Sequence, residues 1–344
     1  MPLFYLPPEI LLHILRYIDS DFFAQDVDRL AINKQWHQLA WPVFLHDVIL
    51  NSQSLETIYS RPVKGAALDG LQRHTDALEV KLCGFDEWAA KSDSLYPEAN
   101  LRDVVKWTTR LGENLDRLSA LFRKSIRLKS LTIEAMPELQ HAGMRASRRA
   151  YLSISTIQNM ISIESVTCLD IDTGGTALSS RRNKSLHLCD AISRRLPHLR
   201  RLRCRACLLC PEILRIQPDS TYSNLEEVII NLSLSGMTPQ ETAYQYPARC
   251  NHSSFLTVRA ALEDRAITLA GRMERPKMVR LIWHSLPSMQ IFAFDATDGR
   301  LSRLKSLNQW DAKGEEIRDE LPSSESEIGS VEFDSSEASE SEED

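Results

Sequence analysis

Glycine is thinly spread in this chain, 12 of 344 residues, which leaves little material for flexible linkers and favours packed structure. Long apolar runs are missing too: no stretch reaches the roughly 18 residues that a membrane-spanning helix requires. Residues 1–12 have no basic leader ahead of their apolar positions and include Pro2, Pro7, Pro8 and Glu9, which does not fit a signal peptide. Seven cysteines, an odd number with no secretory leader, argue against a disulfide framework. The expectation is a soluble protein of the cytoplasm, the nucleus or both, with reduced thiols and no membrane contact.

The signatures of several chemistries are also absent. Gly174-Gly175 lacks the G-x-x-x-x-G-K-[ST] phosphate loop, no G-x-G-x-x-G follows a strand pattern, and neither G-x-S-x-G nor H-E-x-x-H occurs. No cofactor and no enzymatic activity of the chain's own are expected.

What is present begins with charge segregation. From Glu315 to Asp344 there are 13 Asp and Glu against the single Arg318, a local net of −12, so the preceding residues carry +6 of the chain's total of −6. This stretch also has eight serines between Ser323 and Ser341 and almost nothing to bury. Residues 312–344 therefore read as a disordered acidic tail. Ser324, Ser339 and Ser341 each have Glu or Asp three residues later, the pattern acid-directed kinases favour, and a phosphate on each would add about −1.5 to −2 charge. The tail competes with acidic ligands for the arginine strand at 201–205, recruits a partner, or only keeps the chain in solution.

At the other end, Ile10, Leu11, Ile14, Leu15 and Ile18 recur with helical spacing behind Leu6-Pro7-Pro8-Glu9. Proline in a first turn and an acid near the positive end of the helix dipole mark a helix start. Asp19-Ser20-Asp21 interrupts the pattern, and Val27, Leu30, Ala31, Gln35, Trp36 and Leu39 resume it before Pro42 closes it. Two short helices joined by a polar turn cannot bury their apolar faces alone and need a third element or a partner.

These residues resemble the F-box, a motif of about 45 residues, at Leu6, Pro7, Glu9, Ile10, Leu11, Ile14, Leu15, Ile18, Val27, Leu30, Ile32, Asn33, Trp36, Leu39 and Ala40. The resemblance implies a helical domain over residues 1–50 that docks the small adaptor subunit of a Skp-cullin-F-box ubiquitin ligase. Leu6, Pro7, Ile10, Leu11 and Ile14 would lead the contact, with Glu9, Leu15, Ile18, Leu30 and Trp36 also taking part. The stretch Asp21 to Asp26 is longer and more aromatic than the family's usual turn. The alternative is that the helical pair caps the larger domain with its leucines turned inward.

Across residues 51–311 an L-x-x-L-x-L motif recurs, at Leu128–Ile133, Val166–Ile171, Leu199–Cys204, Leu225–Ile230 and Met289–Phe294, with a weaker copy at Ala77–Leu82. Successive centres at 80, 131, 169, 202, 228 and 292 lie 51, 38, 33, 26 and 64 residues apart, against 20 to 29 in tidy leucine-rich repeats. The long gaps hold helices with insertions, or a further weak repeat. Helical patterns occur at Leu101–Leu121, Leu186–Leu196 and Met278–Ser285. Short strands alternating with longer helices predict a mixed α/β fold, either an irregular leucine-rich solenoid or an ordinary α/β domain. The segments 187–205 and 286–295 resemble the helix-then-strand repeats of the large F-box family of filamentous fungi. Together the two resemblances imply a substrate receptor that recruits a protein for ubiquitination by other subunits. The alternative is a repeat scaffold without ligase association.

Two clusters invite chemistry. Cys204, Cys207 and Cys210 have a spacing at which thiolates can share a metal ion, but Cys204 falls on an inward strand position, and no second Cys-x-x-Cys pair exists. Packing, not metal, is the expectation. Arg201, Arg203 and Arg205 fall together on one face of a strand, which suits phosphate or an acidic peptide. The neighbouring strands would show Cys168, Asp170 and Asp172 on one side and Glu227, Ile229 and Asn231 on the other. That mixed face fits a protein ligand better than nucleic acid; simple solvated charge is the other reading.

Overall fold

The recurring L-x-x-L-x-L segments all form strands. In the computed structural model, which describes residues 6–60, 65–84, 97–135, 151–174, 176, 178–179, 188–206, 209–218, 220–233, 255–285, 290–306 and 308–317, they belong to one open sheet. Its strands are β1 (Asp47–Asn51), β2 (Ala77–Leu82), β3 (Ser130–Ala135), β5 (Cys168–Asp172), β7 (Arg201–Arg205), β8 (Glu227–Asn231), β9 (Met278–His284), β10 (Ile291–Asp295), β11 (Arg300–Leu304) and β12 (Glu315–Glu316), in that spatial order. Strands β1 through β9 pair in parallel, and β9 through β12 pair antiparallel. A separate parallel pair joins β4 (Leu152–Ser153) to β6 (Leu178–Ser179). The fold class is mixed α/β.

Alternation of side chains along a strand turns the motif into two continuous apolar rows. One runs Val48, Leu78, Leu131, Leu169, Leu202, Val228, Val279; the other runs Leu50, Val80, Ile133, Ile171, Cys204, Ile230, Leu281. Helices cover this face. They include α4 (Ser52–Ser60), α5 (Gly65–His74), α6 (Pro97–Phe122), α7 (Ile154–Ile161), α8 (Leu188–Arg195) and α9 (Phe255–Ala270), and their buried residues, among them Leu115, Leu118, Ile157, Met160, Ile192 and Leu262, complete the main core. Burying each such side chain contributes roughly 1.5 to 3 kcal/mol before chain entropy is subtracted.

The irregular spacing conceals a regular junction. One carbonyl before or at the start of each strand accepts hydrogen bonds from two consecutive N–H groups at the start of the next. His46 takes Asp76 and Ala77, Asp76 takes Lys129 and Ser130, Lys129 takes Thr167 and Cys168, Thr167 takes Arg200 and Arg201, Arg200 takes Glu226 and Glu227, and Glu226 takes Lys277 and Met278, all between 2.6 and 3.3 Å. Each crossover therefore returns to the same place regardless of its length.

Several expectations change. Met278–Ser285, read as helical, holds strand β9, and its residues from Val279 to Trp283 are buried. A seven-residue run buried on both faces carries no decisive period, and its branched and aromatic residues favour a strand. The 64-residue gap thus holds α9 and a further parallel strand, β9, whereas α6 fills the 51-residue gap. The segment around Ile291–Phe294 runs antiparallel to both its neighbours, β9 and β11, and does not continue the parallel series. Strand β1 begins at Asp47, within the residues 1–50 read as helical, and Glu315 and Glu316, within the residues read as tail, pair with β11 at the sheet edge. No helix among the described residues is long and apolar enough to cross a membrane.

Candidate functional site

Ahead of the sheet, α1 (Pro8–Ile18), α2 (Ser20–Gln25), a 3-10 turn (Val27–Leu30) and α3 (Lys34–Phe44) form a small unit with its own core of Leu15, Phe23, Leu30, Trp36, Ala40 and Val43. The expected polar turn is itself a helix, α2. Asp19, at a left-handed φ of 77°, accepts from the Ser20 N–H at 2.6 Å and starts it, and Phe23 is fully buried. Helix α3 starts at Asn33, whose side chain accepts from the Trp36 N–H at 2.8 Å, and it continues two residues past Pro42. The Trp36 indole N–H donates to the Arg29 carbonyl at 2.6 Å.

The expected adaptor contacts divide between inside and outside. Leu11, Leu15, Leu30 and Trp36 are buried, the last three in the unit's core, so their side chains do not form its surface. Pro7 and Glu9 are exposed, Leu6, Ile14 and Ile18 are half-buried, and Ile10 is 49% exposed. Pro7 caps α1 through its carbonyl, which accepts from the Ile10 and Leu11 N–H groups. Ile10, Ile14 and Tyr17 share one helical face at i, i+4 and i+7, and Tyr17, missed in the sequence reading, is 91% exposed. Val27 and Ile32 are further exposed apolar side chains of the unit. Trp41 and Phe44 face the other way, packing against both the unit's core and the main core.

On the open face of the sheet, Arg201, Arg203 and Arg205 do stand side by side between Cys168, Asp170, Asp172 and Glu227, Ile229, Asn231. Arg203 and Arg205 are engaged by neighbouring acids. Arg203 binds Glu227 at 2.7 Å and Asp311 at 2.8 Å, and Arg205 makes a two-pronged bond to the Asp172 carboxylate. Gly174 permits the latter, since a Cβ there would lie 3.2 to 3.3 Å from Arg205 Cγ, Cδ and Nε. In the same basic stretch, Arg195 donates to the carbonyls of Ile163, Glu164 and Val166, and Arg194 to that of Asp190. These cations serve internal acceptors more than a phosphate backbone.

Asp170 is the exception among the acids. Burial raises its carboxyl from 3.8 to about 6, against the pull of Arg203 and Arg201 and with the help of Asp172 and Glu227. At the end of β9, burial and then the Arg205 charge hold His284 below its usual value.

A segment unforeseen from the sequence lies over part of this face. Residues Asn308–Gly314, called the strap below, place the Trp310 ring 5.5 Å from the Arg205 guanidinium. Arg280, 5% exposed, donates to the carbonyls of Trp310 and Ala312 at 3.0 and 2.8 Å and pairs with Asp295 at 3.4 Å. Trp310 and Ala312 pack on a third core of Ile229, Ile282, Ala293 and Leu304. The available signal was a lone tryptophan in a polar stretch, and Arg280 and Ile282 alternating on one face of a misread strand.

Among the described cysteines, Cys168, Cys189, Cys204 and Cys210 are buried and Cys83 is exposed. Cys204 and Cys189 are fully buried, burial pushes both thiols well above their usual range, and the Cys210 N–H donates to Cys189 Sγ at 3.4 Å. Cys207 lies outside the described residues, as do Ser324, Ser339 and Ser341. Among the described residues no group of three His, Cys, Asp or Glu is placed to hold a metal. Comparison with models of known protein families, with curated proteins and with solved structures returned no match to this chain.

Proposed function

We propose that the chain is a substrate-receptor subunit of a Skp-cullin-F-box ubiquitin ligase: the N-terminal helical unit docks the small adaptor, and the sheet selects a protein for ubiquitination by other subunits. The observation that carries this reading is the division of α1 into an inner face, Leu11 and Leu15, and an outer apolar face, Ile10, Ile14 and Tyr17. A helix in a unit that already has its core has no internal use for that second apolar face, and a partner would cover it. Docking would bury several large side chains at roughly 1.5 to 3 kcal/mol each, less the entropy of association. The repeated strand junctions favour the leucine-rich solenoid as the form of the second part.

A second reading has its own support. Trp41 and Phe44 seal the end of the main core, which suits a cap on a free-standing repeat scaffold. The two roles use opposite sides of the unit, so the outer face decides between them. Co-expression with the adaptor followed by affinity capture tests the choice. Wild type is expected to retain the adaptor, and Ile10→Asp, altering a half-exposed side chain, to lose at least tenfold of it without loss of fold. Equal recovery by both would leave the scaffold reading.

A further inference from the structure

We propose that the open-face groove formed by Arg203, Arg205, Arg280, Ile229 and Ile282 is the binding site for an extended peptide carrying an aromatic residue followed by an acid, and that the strap occupies it as a displaceable internal ligand. This deepens the receptor reading and rests on it: the peptide would be the recognition segment of the recruited protein.

The strap provides the template for the ligand. Its aromatic ring lies by Arg205, its Asp311 carboxylate meets Arg203 at 2.8 Å, and its carbonyls at Trp310 and Ala312 share one Arg280 nitrogen. An aromatic anchor, a charge-assisted bond and alternate backbone acceptors are what recognition of an extended peptide uses. Beneath lie Ile229 and Ile282, fully buried although they stand on the face away from the helices. Such positions on an open sheet face need a cover, and the strap contributes one through Trp310 and Ala312.

The fit of that cover is incomplete. Arg205 Nη1 and Arg280 Nε are buried without a hydrogen-bond partner, donors that a better-matched ligand would satisfy. The strap is held by side chains and not by strand pairing. None of its residues is in a strand, and Asp311 is more than half exposed at its ion pair, where solvent screens the attraction. Its return to the sheet turns on Gly314, at φ 67°, where a Cβ would come within 2.6 Å of the Arg303 carbonyl. The strap can therefore lift while β11 and β12 remain paired.

The test uses the full chain and a labelled peptide of its own residues Asn308–Lys313 supplied in trans. Binding to the Trp310→Ala/Asp311→Ala double variant is expected to be at least tenfold tighter than to wild type, whose groove is filled, and to fall at least tenfold when Arg203→Glu is added. A folded double variant that binds no better than wild type, or binding indifferent to Arg203→Glu, overturns the proposal. Hydrogen exchange on wild type covers the case in which the double variant does not fold. Amides of Gln309–Ala312 are expected to exchange at least a hundredfold faster than those of β9, and equal protection overturns the strap's displacement. Adaptor capture measured on the same preparations separates the outcomes, since failure of peptide binding with capture intact refutes this site and leaves the adaptor reading standing.

Discussion

Asp170 shows how one residue's chemistry follows from its row in the sheet. It stands beside Arg203 in register, but Arg203 is committed to Glu227 and Asp311, and burial dominates its titration. Its folded value of about 6 lies above the ordinary 3.8, so the folded protein binds that proton more tightly than the unfolded chain does. Ionisation of Asp170 therefore opposes folding. Its contribution to stability is most favourable below pH 4, declines as pH rises through 4 to 6, and stays at its least favourable above that window. Asp170→Asn is expected to raise stability at pH 7 by about 1 to 2 kcal/mol, after allowance for partial solvent screening. It should also flatten the pH 4–6 part of the stability curve relative to wild type, measured by denaturant titration; identical curves would contradict the assignment. The cysteines give a second residue-scale expectation. Thiolates react and thiols do not, so buried Cys189 and Cys204 should remain unmodified by an alkylating reagent in the native protein, while exposed Cys83 is labelled at least tenfold faster, read by peptide mass spectrometry. Alkylation of Cys204 at the rate of Cys83 would place it outside the core.

Among the elements, the junction between the helical unit and the sheet turns on one missing side chain. Gly70 of α5 faces Trp41 of α3, and a Cβ there would sit 2.9 Å from the indole nitrogen and 3.1 Å from Leu45 Cδ1. Helix propensity alone predicts that Gly70→Ala stabilises by up to about 1 kcal/mol. Overpacking against a ring wedged between two cores should reverse the sign and destabilise by about 1 to 2 kcal/mol net, seen as a lower denaturation midpoint; a raised midpoint would show that Trp41 yields freely. The same scale explains what the sequence made readable. Strands carrying L-x-x-L-x-L were legible because alternation and burial on one face coincide, and so was the alignment of Arg201, Arg203 and Arg205. Strand β9 was not, because both of its faces are buried and the period of two disappears. Helix α2 hid behind three polar residues, with only Phe23 to mark its inward side. Trp310 marked the strap only as an aromatic in a polar stretch, since its place depends on Arg280 and Arg205, residues distant in sequence that meet it only after the sheet forms.

At the scale of the whole molecule, a sheet built from repeated junctions is covered by helices on one face, capped at its first strand by a helical unit, and partly covered on its other face by a strap. The unit's outer apolar face and the strapped groove are then two surfaces of different chemistry on one framework, as the proposed receptor role requires. The most direct measurement is hydrogen exchange of the full chain with and without the purified adaptor. The account predicts slowed exchange confined to residues 8–33, strongest along α1, with the amides of β5, β7, β8 and β9 unchanged. No protection of α1 under conditions that saturate binding, or protection centred on the sheet, would contradict it.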